Sequence, residues 1–257
     1  MTGTLKSRLH NGDRLVVFSV GRMFHPNVIR YLGMQDDFDG FWVDVEHAGP
    51  TTRDIESAMT AGKAHGLEGF ARVPPTDYAT VTRCFESGAV GVMAAQIHSA
   101  AQAEEFVGWA KFAPRGTRGM NPLGYDGGYG SVPLAEFAGR ANEETMVGIQ
   151  IETAQAVDEV DEIAAVDGVD FLFVGPSDLS QALGVTGAYT DDRCLDALDR
   201  ISAACRASAK HWGAVTPSPE YASIVIEKGC TLISPTSDVK LISAGLGAVK
   251  EQFDELW

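Results

Sequence analysis

The chain has 257 residues, 45% of them apolar and 21% charged, and carries a formal net charge of −15. That balance is ordinary for a globular protein. The acidity argues against nucleic acid and anionic membrane surfaces as partners, and no apolar run approaches the roughly 18 residues of a membrane span.

Short apolar runs alternate with helical periodicity along the whole chain. Strands are expected at residues 14–19, 40–45, 69–73, 90–94, 145–151, 170–174, 211–215 and 231–234. Helices are expected near 26–33, 52–65, 77–87, 99–111, 134–141, 153–165, 191–209, 218–228 and 238–255. Eight strands each followed by a helix predict an α/β fold, a single (β/α)8 TIM barrel spanning 1–257 with an extra C-terminal helix. An open doubly wound sheet would want a glycine-rich phosphate loop after strand one. Ser19-Val20-Gly21-Arg22 does not supply it.

The opening segment MTGTLKSRLHNGDRL lacks the apolar core of a secretion signal, so a cytoplasmic protein is expected. Cys84, Cys194, Cys205 and Cys230 show no CxxC spacing and read as free, buried thiols. From 114 to 133 the chain runs PRGTRGMNPLGYDGGYGSVP, glycine-rich and without an apolar period. Long loops in compact domains are usually functional or disordered. We read this one as an active-site loop on the same barrel face as Glu152.

The chemistry concentrates between residues 146 and 178. MVGIQIET supplies a strand ending at Glu152, and GVDFLFVGPSDLS a second with Asp178 four residues beyond it. Ala154, Val157, Val160, Ile163 and Ala164 recur between them at helical spacing. In a barrel this βαβ unit puts both acids at the carboxyl end, where active sites are built. Two carboxylates without a nearby Cys or His suit a hard divalent ion held by oxygen. Gly175-Pro176-Ser177 reads as a tight turn into a helix capped by Ser177, with free N–H groups facing a small anion.

Two further positions face the same mouth. His47 follows strand two in Asp44-Val45-Glu46-His47 and has the side chain best suited to proton transfer near neutrality. Arg72 lies near the end of strand three, just before Pro74-Pro75. Its planar fork fits a carboxylate, whether a substrate's or a neighbouring side chain's.

The ordered set VDVEHAG, ARVP, IQIET and FVGPSDLS resembles the HpcH/HpaI family of class II pyruvate-type aldolases, from about residue 14 to 250. The resemblance implies a divalent ion, Mg, Mn or Co, on Glu152 and Asp178, with Gln150 beside it. It implies that Arg72 holds the 2-oxo acid, that His47 is catalytic and that Asp44 is the acid of the DxEH segment. Many members pair the histidine with an aspartate where this chain has Glu86, which places any dyad within the chain or across subunits. The implied reaction is reversible cleavage of a 4-hydroxy-2-oxo acid to pyruvate and an aldehyde by a homo-oligomer, a hexamer in the resembled family. No lysine ends a strand, which argues against a Schiff base. The alternatives are a malyl- or citramalyl-type CoA-ester lyase and a non-catalytic oxo-acid-binding barrel. Leu241, Leu246, Val249, Phe253 and Trp257 give the C-terminal helix an apolar edge fit for a subunit contact.

Overall fold

The computed structural model describes residues 3–256. Eight parallel strands close in sequence order, the last pairing with the first through Leu15↔Leu232 and Val16↔Ile233. They are β1 Leu15–Val20, β2 Gly40–Asp44, β3 Glu68–Val73, β4 Gly91–Ala94, β5 Met146–Ile151, β6 Phe171–Val174, β7 His211–Val215 and β8 Leu232–Ser234. This is the expected (β/α)8 barrel. The helices are α1 Leu5–His10, α2 Pro26–Gln35, α3 Thr52–Lys63, α4 Tyr78–Glu86, α5 Ala100–Ala110, α6 Leu134–Glu144, α7 Ala154–Asp158, α8 Val160–Ala165, α9 Pro176–Ala182, α10 Asp192–Ala207, α11 Pro219–Glu227 and α12 Asp238–Gln252.

Alternation along each strand sorts side chains into two cores. Leu15, Val17, Trp42, Phe70, Met93, Met146, Phe171, Phe173 and Leu232 fill the barrel interior. Edge-to-face pairs Phe70–Phe171 at 5.9 Å and Trp42–Phe173 at 6.5 Å lie among them; such pairs add about 0.5–1.5 kcal/mol beyond area burial. The opposite strand faces meet the helices in the larger outer core. Continuing the inward parity one step toward the carboxyl ends replaces apolar residues with Ser19, Asp44, Arg72, Gln150 and Ser234, all buried. The interior thus turns polar at the mouth.

The sequence pattern did not disclose α1. It lies across the N-terminal end of the barrel, with Leu5 and Leu9 in the interior core. The Leu5 N–H donates to Glu68 at 2.5 Å, and Lys6 Nζ donates to the Thr145 carbonyl at 2.9 Å and pairs with Asp170 at 3.3 Å. Buried Lys111 anchors the same floor, donating to the Asn142 and Thr145 carbonyls at 2.9 and 2.8 Å, with burial pulling its pKa down to about 8.

The 114–133 segment sits on the other face from the one expected. It follows α5, which has already carried the chain back to the N-terminal end. There the Tyr125 N–H donates to the Glu86 carbonyl at 2.8 Å, and Lys63 lies 5.0 Å over the Tyr125 ring. A short 3-10 turn, Gly128–Gly130, forms within it. The segment therefore covers the floor beneath β3–β5, not the mouth near Glu152. The helix expected at 153–165 is two, α7 and α8, broken at Glu159, whose carboxylate turns to accept the Ala100 N–H at 3.0 Å.

Beyond Asp238 the chain leaves the wall. Every described residue from Val239 to Leu256 is exposed, including Leu241, Ile242, Leu246 and Phe253; Trp257 lies outside the described residues. Among the described residues no helix is long and apolar enough to cross a membrane. All four cysteines are free and buried.

Candidate active site

A cavity of about 340 Å³ opens at the carboxyl ends of the strands, lined by Asp44, His47, Arg72, Gln150 and the segment Gly175 to Asp178. A larger one, about 480 Å³, lies on the opposite face. There Glu68, Lys6 and Arg140 are taken up by Leu5, Asp170 and Glu144. The chemistry gathers in the smaller cavity.

Asp44 is the hub of its β2–β3 side. Its carboxylate accepts from Arg72 Nε at 3.2 Å and Nη2 at 2.7 Å, and from the backbone N–H groups of Glu46 and His47 at 3.0 and 3.1 Å. It fixes both the arginine and the turn that carries the histidine. Arg72 is 7% exposed, stacks 5.1 Å over Trp42, and keeps three of a guanidinium's five N–H groups clear of Asp44. Trp42 is held in turn by its Nε1 donating to Ser234 Oγ at 3.0 Å. Breaking a buried charge pair of this kind costs about 3–5 kcal/mol.

Glu46 is a residue that the sequence reading passed over. Its Oε2 lies 3.3 Å from Arg72 Nη1 and 3.7 Å from His47 Nε2, near enough for ion pairing but not aligned for a hydrogen bond. The missed signal was parity: Trp42, Asp44 and Glu46 alternate inward. The His47 side chain is 59% exposed at the rim. Glu86 is not brought to it within the chain. It ends α4 at the opposite face, where it accepts from Asn121 at 3.0 Å.

On the β5–β6 side, Glu152 is 1% exposed and receives the Gln96 backbone N–H at 2.7 Å and its side-chain amide at 3.0 Å, both on Oε1. Burial pushes its pKa up to about 7, against the Gln96 N–H, with Glu46 and Asp178 adding to the rise. Glu152 Oε2 and Gln150 Oε1 are buried without hydrogen-bond partners among the described residues. A Cβ on Gly175 would stand 2.5 Å from Glu152 Oε2 and 2.8 Å from Gln150 Nε2, so only glycine leaves that space open. The α9 cap falls on Gly175, not on Ser177 as expected, because the fixed φ of Pro176 suits the first helical position. Asp178 lies in the first turn of α9. Among the described residues no three His, Cys, Asp or Glu form a closed metal cluster. Two acids and an amide are a donor set that would suit a hard cation.

The far rim is organised by another residue the sequence did not single out. Asp238, 3% exposed, accepts three successive N–H groups, from Gly21, Arg22 and Met23, at 3.0, 2.7 and 2.6 Å. It ties the loop after β1 to the start of α12. Arg22 and Lys240 consequently share the cavity rim, and neither side chain has an acidic partner among the described residues. Lys240, the lysine that lines this cavity, is exposed and lies in a helix rather than at a strand end.

Chemistry gathered at the carboxyl end of such a barrel, together with the relatives that follow, makes this protein a carbon–carbon lyase of the class II aldolase type. A family model described as HpcH/HpaI aldolase/citrate lyase matches residues 14–244, and the chain belongs to that family. It is 33% identical to the 2-dehydro-3,6-dideoxy-6-sulfogluconate aldolase of Pseudomonas putida over 80% of each chain. It is 32% identical to the 4-hydroxy-4-methyl-2-oxoglutarate aldolase of Hapsidospora irregularis, over 81% of this chain and 78% of that one. The crystal structure of an HpcH/HpaI aldolase from Desulfitobacterium hafniense superposes with a TM-score of 0.88 at 29% identity, covering 97% of this chain and 98% of that chain. The family is generally dependent on a divalent metal.

Proposed function

We propose that the protein cleaves a 4-hydroxy-2-oxo acid reversibly to pyruvate, or a related 2-oxo acid, and an aldehyde, with one divalent ion, Mg, Mn or Co, held by Glu152 and Asp178. The observation that carries this reading is the buried, unpartnered Glu152 Oε2 at the space that Gly175 leaves open, with the amide of Gln150 beside it. When bound, the ion supplies Lewis acidity to the keto oxygen of a 2-oxo acid. Arg72, locked in place by Asp44, donates its remaining N–H groups to substrate oxygens. Ser177 and Asp178, whose N–H groups have no intrahelical partner in the first turn of α9, line the same cavity. His47 moves the proton at the aldol hydroxyl. Glu86 enters only if a neighbouring subunit presents it.

The cations Arg22 and Lys240, without acidic partners among the described residues, favour a carbonyl half with a second anionic group, as the names of both relatives above imply for their substrates. A CoA-ester lyase would need an aromatic, basic groove for its nucleotide. Here Trp42, the aromatic wall, is already stacked under Arg72. The test is pyruvate release, before and after metal stripping, from two 4-hydroxy-2-oxo acids differing only in a distal carboxylate. Stripping should abolish turnover and added Mn should restore it, with the dicarboxylate cleaved faster. Full turnover by stripped enzyme would overturn the reading.

The exposed apolar surface of α12 supports a homo-oligomer, a hexamer by resemblance, in which this helix packs on a second copy. Light scattering at micromolar concentration should give a multiple of 27.4 kDa; a stable monomer would refute it.

A further inference from the structure

We infer that Gln96 is a positioning residue that restricts Glu152 to one metal-facing oxygen. This rests on the reading of Glu152 as a metal ligand and adds to it a residue that none of the four recognised motifs contains.

Gln96 lies two residues past β4, in the left-handed region at φ +48. A non-glycine residue there is uncommon and is strained, and such strain persists only where the surroundings enforce it. Here the twist has a visible result. It turns the backbone N–H of Gln96 onto Glu152 Oε1 at 2.7 Å while the side chain of the same residue reaches that oxygen at 3.0 Å. The loop is tied down from the next position, since Thr153 Oγ1 donates to the Ile97 carbonyl at 3.3 Å, fastening it to the cap of α7. With Oε1 doubly bonded, rotating the carboxylate would break both contacts, and Oε2 alone faces the Gly175 gap.

The consequence is stoichiometric. A small hard cation such as Mg has six positions in near-octahedral geometry. A freely turning glutamate can chelate through both oxygens and take two of them. Glu152 held by Gln96 takes one, which keeps an adjacent pair open for the keto and carboxylate oxygens of a 2-oxo acid. Gln96 thereby sets how many positions the substrate finds, without touching the substrate itself.

The experiment is titration calorimetry of Mn into metal-stripped full-length enzyme, paired with kcat and KM for the oxo acid on Mn-saturated enzyme. Gln96→Gly keeps the left-handed backbone and its N–H and removes only the amide. Gln96→Asn, also tolerant of that backbone, holds its amide one carbon short and serves if the glycine variant does not fold. Both should bind Mn about 10–100-fold more weakly, the usual effect of losing a partner behind a metal ligand. At saturating Mn, KM should rise more than kcat falls, with thermal stability unchanged. Glu152→Gln is the reference. If it abolishes Mn binding while the Gln96 variants stay within twofold of wild type in Mn affinity and KM, the role of Gln96 is refuted and the metal site stands. If Glu152→Gln binds Mn normally, the metal reading itself is overturned, and this inference with it.

Discussion

Gly175→Ala should fold and yet lose most of its activity. The backbone at Gly175, φ −92 and ψ 93, is open to alanine, so no conformational penalty arises there. The obstacle is the new methyl, 2.5 Å from Glu152 Oε2 where ordinary contact begins at 3.4 Å. Something must yield by about 0.9 Å, and the Gln96 contacts hold the other oxygen of the same carboxylate. A misplacement of about 1 Å in a reacting constellation costs on the order of 100-fold in rate. Overpacking alone costs about 1–3 kcal/mol, which in a domain of this size lowers Tm by about 2–4 °C per kcal/mol. Pyruvate release measured as kcat/KM, with Mn affinity by calorimetry, gives both readings on one preparation. Gly139→Ala is the control, since nothing lies within 4 Å of its Cβ; it should keep full activity and gain about 0.5–1 kcal/mol as a helix-interior alanine. If Gly175→Ala keeps kcat/KM within threefold and binds Mn normally, the space opposite Glu152 is not a ligand site.

His47→Ala should lower kcat by about 10²–10⁴, the span for a general acid–base group, with Mn affinity within a few fold; loss of metal with catalysis retained at saturating Mn would make His47 a ligand instead. Burial raises the pKa of Asp170, but His10, Lys6, Lys111 and the Val147 N–H together bring it below its ordinary 3.8. Its stabilising contribution is therefore complete above about pH 4 and is lost as pH falls through the lower folded-state value. Asp170→Asn should cost about 3 kcal/mol in urea unfolding at pH 7 and progressively less as pH falls below about 4; a cost that does not change with pH would refute the assignment.

The barrel was legible because its strands are unbroken apolar runs buried on both faces, the pattern of parallel sheets. Helix α1 was not, since six residues are too few to show a period and Leu5 and Leu9 find their place only once the barrel has closed beneath them. The 114–133 segment was assigned to the wrong end by overlooking direction: α5 lies between it and β4, so the chain had already crossed to the floor. Around the metal-type site, Glu152 and Arg72 announce themselves at or near the ends of apolar strands, and Gln150 was reached only through the family resemblance. Gln96 does not, because its role depends on a positive φ that no composition or spacing encodes. Asp238 reads locally as an ordinary first-turn acid, and its three bonds to Gly21, Arg22 and Met23 reach across more than two hundred positions of sequence.

That last connection makes a lever of the C-terminal helix. Among the described residues Asp238 is the one buried residue of α12, and the carboxylate that fastens the helix also fixes the backbone of Arg22. A neighbour packed on the outer end would bear on the mouth through this fastening, where Arg22 and Lys240 both line the cavity. The length of the arm works in its favour: fifteen residues at 1.5 Å each span about 22 Å, so a modest displacement at the tip becomes a small, finely graded one at the rim.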